Sequence, residues 1–185
     1  ITPAAVPVVT VDEAKAHLRL DTTDDDTLVS AMLVAATDAA EHATGRALMT
    51  QTWEAAFDSF PSAIKLTRVP VQEVISLSYI DPDGVPQTID PSAYHLSLDE
   101  SDFAYATPAF GTLWPQARGD VGGVKVRFTT GYADAASVPE PIKVWIKLQV
   151  GSMYENREAE TLTGRAAPSK LGFVDALLAR YKVWA

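Results

Sequence analysis

From residue 48 to residue 130 the apolar side chains tend to recur at every second position, and no stretch of helical period interrupts them. Parallel strands need a long crossover, usually a helix, so strands that follow one another without helices pair mainly antiparallel. "TWEAAFDSF" sets Trp53, Ala55 and Phe57 against polar or small neighbours. "EVISLSYI" sets Val74, Ser76, Ser78 and Ile80 on one face and Ile75, Leu77 and Tyr79 on the other. "VKVRFTT" puts Val124, Val126 and Phe128 together. "DPDG" at 81–84 makes a turn, because Pro82 presets φ and Gly84 tolerates a positive one. The pattern predicts about five or six strands.

The flanks switch to helical period. "TVDE" opens a first helix with a capping box, Thr10 as N-cap and Glu13 three residues on, and Ala14, His17 and Leu18 form its short apolar face. The acids of "DTTDDD" suit the positive start of a second helix at about 27–44, which Gly45 stops. Leu28, Met32, Ala35, Ala36, Ala39 and Ala43 are expected along its packed side, where alanines allow close approach. After the β-rich stretch, "VPEPIKVWIKLQVGSMYENRE" starts a third helix with prolines in its first turn. Ile142, Trp145, Ile146, Val150 and Met153 make one stripe, while Val144 and Leu148 extend apolarity to a second face beside Gly151. A helix apolar on two sides is buried on two sides, either inside one chain or against a second subunit. A last helix places Val174, Leu177, Leu178, Tyr181 and Trp184 on one face. The expected fold is α+β. It is a helical bundle of about four helices, two N-terminal and two C-terminal, with an inserted, mainly antiparallel β-rich region. The chain then reads as a single domain over 1–185, with 48–130 inserted between helices at 10–45 and 139–184.

Composition narrows the chemistry. With no cysteine, disulfides, thiolate catalysis and cysteine-held metals are excluded. Asp38 cuts the best apolar run, and the N-terminus lacks a signal peptide's basic start, so a soluble chain with no membrane contact is expected. A net charge of −9 makes a poor grip for DNA, which depends on neutralising phosphates. His17, His42 and His95 are scattered and form no metal-ligand pair. "GDVGGVK" lacks phosphate-loop spacing, no nucleophile elbow is present, and "DTTDDD" lacks the alternation and central glycine of a calcium loop.

The polar crowd "SMYENREAE" at 152–160 is the remaining candidate for catalysis. Tyr154 and Glu158 share a helix face. A general acid or base needs burial or a charged neighbour to tune it, and these acids fall where the helix runs into a polar loop. Three readings stay open: a solvated helix end, a subunit contact through Val144, Leu148, Tyr154, Glu155, Arg157 and Glu158, or a small hydrolase using Glu155 and Glu158.

"VTVDEAKAHLRLD", "EHATGRAL", "TQTWE", "GTLWP", "VRFTTGY", the third-helix block and "LLARYKVW", in that order, resemble the head–tail connector, or adaptor, proteins of tailed double-stranded-DNA bacteriophages and prophages. The likeness runs from about Val11 to Trp184. It implies a structural subunit of the virion neck, made in the host cytoplasm, with no activity, metal or cofactor. Such subunits form a homo-oligomeric ring, usually of about twelve copies, beneath the portal protein. The ring continues the DNA channel without sequence-specific binding and offers a surface to stopper or tail proteins. Portal contact is expected from the C-terminal helix and tail: Tyr181, Val183 and Trp184, supported by Leu177 and Leu178. At −9 per copy a ring of about a dozen carries on the order of −100, which repels DNA phosphate. A neighbouring stopper or tail-completion protein is the alternative within the same assembly. Trp114 is expected to pack at a sheet corner rather than dock a partner.

Overall fold

The computed structural model describes residues 2, 4–98, 103–156 and 172–183. The chain divides into two compact units. The β unit is built from Met49–Ala133 with Ile1–Ala5, and the helical unit from Val6–Leu48 and Asp134–Val183. The fold is α+β.

In the helical unit, α1 spans Val11–Leu18, α2 Asp26–Thr44, α3 Glu140–Glu155 and α4 Gly172–Ala179. The capping box forms as the sequence predicts. The Thr10 backbone N–H donates to Glu13 Oε2 at 2.8 Å, and the Glu13 N–H donates to Thr10 Oγ1 at 3.2 Å. Val9 and Ala14, at the two staple positions around this cap, are both buried. Gly45 ends α2 with φ +70. The packed face of α2 differs from expectation: Val29, Leu33, Ala36, Ala40 and Thr44 are buried, whereas Ala35 and Ala39 are exposed. Alanine is cheap on any face of a helix, so the bulky Val29 and Leu33 set the orientation and the alanines follow. On α3, Ile142, Trp145, Ile146 and Val150 of the predicted stripe are buried, while Met153, near the end of the helix, is only half-buried.

The β unit holds seven strands: β1 Gln51–Phe57, β2 Ile64–Leu66, β3 Val71–Ile80, β4 Pro86–Thr88, β5 Tyr94–Leu98, β6 Ala104–Pro108 and β7 Val124–Thr130. They form two sheets, ordered β1-β7-β3-β4 and β2-β6-β5, and every strand pairing is antiparallel. The count exceeds the expected five or six because β2 and β4, at three residues each, are too short to show a period. In β7, Val124, Val126, Phe128 and Thr130 are buried and alternate with exposed Lys125 and Arg127. Cross-strand pairs Trp53–Phe128, Ala55–Val126 and Phe57–Val124 line the same face.

The expected alternation of β3 fails at one point. Val74 pairs with Phe128 and Ser76 with Arg127, so Ile75 is the extra residue of a bulge and is half exposed. The bulge moves Val74 onto the face of Leu77 and Tyr79, which pair with Val126 and Val124. A strict period of two cannot show this. A second shift leaves Gln72 unpaired in the ladder, and its amide instead donates to Thr50 Oγ1 and the Gly131 carbonyl. Gly131 itself, at φ +103, passes so close to Met49 that a Cβ would sit 2.1 Å from the Met49 carbonyl oxygen.

Gly131→Ala should destabilise the β unit by at least about 2 kcal/mol, read by chemical denaturation followed through Trp53 fluorescence. Thr10→Ala should cost about 1 kcal/mol of helix stability, read by hydrogen exchange of the α1 amides. The Thr10 backbone N–H holds the Glu13 carboxyl below its ordinary value of 4.5. A lowered folded value stabilises α1 above that pH and loses the contribution as pH falls through it. Protection of α1 should therefore drop on acidification in the native chain and lose this component in Glu13→Gln.

Candidate docking surfaces

The C-terminal segment is built on the end of α2. Thr44 Oγ1 donates back to the Ala40 carbonyl at 2.7 Å, and Glu41 Oε1 accepts from the Leu48 N–H at 2.7 Å, so the helix end is fastened on both sides. Arg46 is buried, and its Nε–H donates to the Tyr181 carbonyl at 2.7 Å. The Val183 N–H donates to the Thr44 carbonyl at 2.8 Å, with the Val183 side chain against Gly45. Residues 181–183 are thus strapped along the α2 terminus by backbone groups, which leaves their side chains half-buried.

Of the residues predicted to meet the portal, Leu178 is 2% exposed and belongs to the core with Val174, four residues earlier on α4. Leu177, Tyr181 and Val183 keep partial exposure. Trp184 lies outside the described residues. Phe173, in the first turn of α4, is an exposed aromatic that the sequence reading left out. Its position one residue before Val174 puts it off the buried stripe.

The predicted subunit contact on α3 is partly occupied within the chain. Val144 and Leu148 are half-buried. Gly151 admits a close neighbour, as expected, but that neighbour is α1: a Cβ there would meet His17 and Leu18 at 3.8–3.9 Å. The Tyr154 hydroxyl donates to Asp25 Oδ2 at the start of α2. Asp25 is the N-cap of α2 yet makes no capping bond with its side chain. The neighbouring Asp26 pairs with Lys15 at 2.7 Å. Glu155, the last residue of α3, is exposed, and Arg157 and Glu158 lie outside the described residues. The exposed Glu140 bridges to the largely shielded Lys143 and Lys147 at 3.5 Å each. Among the described residues no three His, Asp or Glu side chains gather in a way that would hold a metal ion. No described helix is long and apolar enough to cross a membrane.

Exposed apolar side chains concentrate instead in the β unit. Phe110 is fully exposed, Leu113 is 91% exposed and Val121 94%. Trp114 is packed, as expected: its ring stacks on Phe60 with centroids 5.1 Å apart, and Phe60 meets Tyr79 edge-on at 5.5 Å. The sequence signal for this surface was the uncharged run that surrounds it, Phe103–Ala117.

Comparison with known proteins agrees with this architecture. Residues 8–85 match the family described as phage gp6-like head-tail connector protein. No curated protein matches the chain. Among solved structures, a chain in the neck of an empty GTA particle, computed with C6 symmetry, is 27% identical, with a TM-score of 0.77. A chain in the virion of the native gene transfer agent particle is 26% identical, also with a TM-score of 0.77. A chain in the neck of the native particle, computed with C12 symmetry, is 25% identical, with a TM-score of 0.74. Each alignment covers 100% of this chain and 95% of the other. Over residues 8–85 the chain is similar in sequence to the phage gp6-like head-tail connector family, and over its whole length it is similar in fold to chains of the gene transfer agent particle and its neck.

Proposed function

We propose that the chain is the structural adaptor subunit of a phage-like neck. Copies form a ring beneath the portal, extend the DNA channel and offer the attachment surface for stopper and tail proteins. The observation that carries this is the end-to-end likeness to neck chains, which covers both units rather than one shared module. The whole chain acts as one connector domain, its four helices forming the bundle and 48–130 the insertion. The twelvefold symmetry applied to one of the similar necks supports a ring of that order.

The subunit works by binding and carries no catalysis. Glu155 stands exposed as the last residue of α3. The negative balance suits a duct through which DNA slides without being held. Portal contact rests on Leu177, Tyr181, Val183 and Trp184, with Leu178 holding α4 in place from the core. Val144, Leu148, Tyr154, Glu155, Arg157 and Glu158 are assigned to the contact between copies.

Removing the chain from its own particle should leave filled heads without tails, counted by electron microscopy. Normal necks in its absence would overturn the assignment. In purified protein, Tyr181→Ala combined with Val183→Ala should weaken binding to the cognate portal protein at least about tenfold, a loss of about 1.4 kcal/mol. Leu178→Ala should instead lose about 2–5 kcal/mol of folding stability, while Phe173→Ser stays within about 0.5 kcal/mol of the parent. Equal portal affinity for the double variant would remove the C-terminal segment from the contact.

A further inference from the structure

We propose that the Ala109–Thr112 turn of the β unit is a contact between copies of this chain, with Phe110 and Leu113 set against a different surface of the next subunit in the ring. This rests on the ring-subunit reading. It goes beyond it by naming a surface outside the helices.

The turn is built to hold an aromatic side chain in solvent. The Thr112 N–H and hydroxyl both donate to the Ala109 carbonyl, at 3.0 and 2.7 Å. Gly111 takes φ +77 at the third position of the turn, and no atom lies within 4 Å of where its Cβ would stand. Just beyond, Trp114 is anchored by its stack on Phe60, and the Arg118 N–H donates to the Ile80 carbonyl at 2.9 Å. The far stem is therefore fastened to β3 and its neighbours, while Phe110 and Leu113 face water. A fixed turn that exposes a phenylalanine and a leucine three residues apart is a preorganised apolar anchor.

Charge argues for a second copy as the occupant. The chain has 24 acidic and 15 basic side chains, yet none lies between Phe103 and Ala117, the longest uncharged run in the sequence. Copies that each carry −9 repel wherever their charged surfaces approach, so they meet most readily where charge is absent. A cyclic ring is heterologous, and every copy must offer two different surfaces. The similar chains come from necks computed with sixfold and twelvefold symmetry. On α3 the second face is half-buried and Tyr154 is tied to Asp25, so the β unit holds the larger uncovered apolar surface.

The test replaces Phe110, and in a second variant Leu113, with benzoyl-phenylalanine in chains assembled into their own particle, followed by irradiation. The expected product is an adduct at twice the 19.9 kDa chain mass, whose digest yields only peptides of this chain, one from the turn and one from elsewhere. Phe110→Ser with Leu113→Ser should keep the parent denaturation midpoint and lower the yield of complete neck rings at least tenfold. An adduct to a different protein, no adduct at either position in assembled necks, or full ring yield from the double variant would each overturn the proposal. If the parent chain is found in the neck and one of these results is obtained, only this inference fails. If the parent chain is absent from the neck, the functional reading fails with it.

Discussion

Every other helix of the helical unit rests on α3. Ile142, Trp145, Ile146 and Val150 are buried along it, Gly151 lets Leu18 of α1 come close, and the Tyr154 hydroxyl ties its far end to Asp25. In the β unit β7 has the same role, pairing with β1 on one side and β3 on the other while burying four of its seven side chains. Both elements bury their main apolar stripe inside one chain, although the Trp145 indole N–H on α3 is buried without a hydrogen-bond partner. Trp145, which on sequence grounds could equally have faced a neighbouring subunit, is 95% shielded without one. α1, α2 and α4 thus absorb the first stripe of α3, while Val144 and Leu148 on its second face stay half-buried.

That absorption changes where assembly can draw its attraction. Among the described residues, the large apolar side chains left in solvent are Val6, Val34 of α2 and Phe173 of α4 in the helical unit, and a larger group in the β unit, where Phe110, Leu113 and Val121 are the most exposed. The charges do not help copies to meet. Exposed pairs such as Lys125–Glu54 at 3.7 Å and Arg118–Asp120 at 3.6 Å are screened and local, and the surplus is acidic. The acidic surplus also makes the chain as a whole a poor grip for DNA phosphate.

Much of this was legible in the sequence where side-chain size and special backbone chemistry coincided. Thr10 with Glu13, Gly45 after Thr44, and the Ile142–Trp145–Ile146–Val150 stripe each combine a position with a residue type that few other structures accept. The failures have physical causes. Alanine does not discriminate among helix faces, so the packed side of α2 was placed about one residue off. The bulge at Ile75 breaks period two without leaving a glycine or proline to mark it. Leu178 and Tyr181 share a predicted face, but only packing reveals that Leu178 is in the core while the Tyr181 backbone is held by Arg46. The exposed Phe110 and Leu113 were hidden in a run where attention goes to the tryptophan between glycine and proline.

A subunit that closes its own core and carries −9 gains little from meeting a copy in free solution. Burying one phenylalanine and one leucine contributes about 3–6 kcal/mol together, whereas association costs about 4–15 kcal/mol in lost translational and rotational freedom. The balance is unfavourable or marginal, and charge repulsion worsens it. If, as proposed, a portal holds two copies side by side, the second contact becomes intramolecular and acts at an effective concentration in the millimolar range or above. Most of the association cost then falls on the portal contact, and a small uncharged anchor becomes sufficient to close the ring. Under the proposed function, weak self-contact would confine ring formation to the vertex where the portal sits, since free chains that assembled unaided would form rings with no head to close.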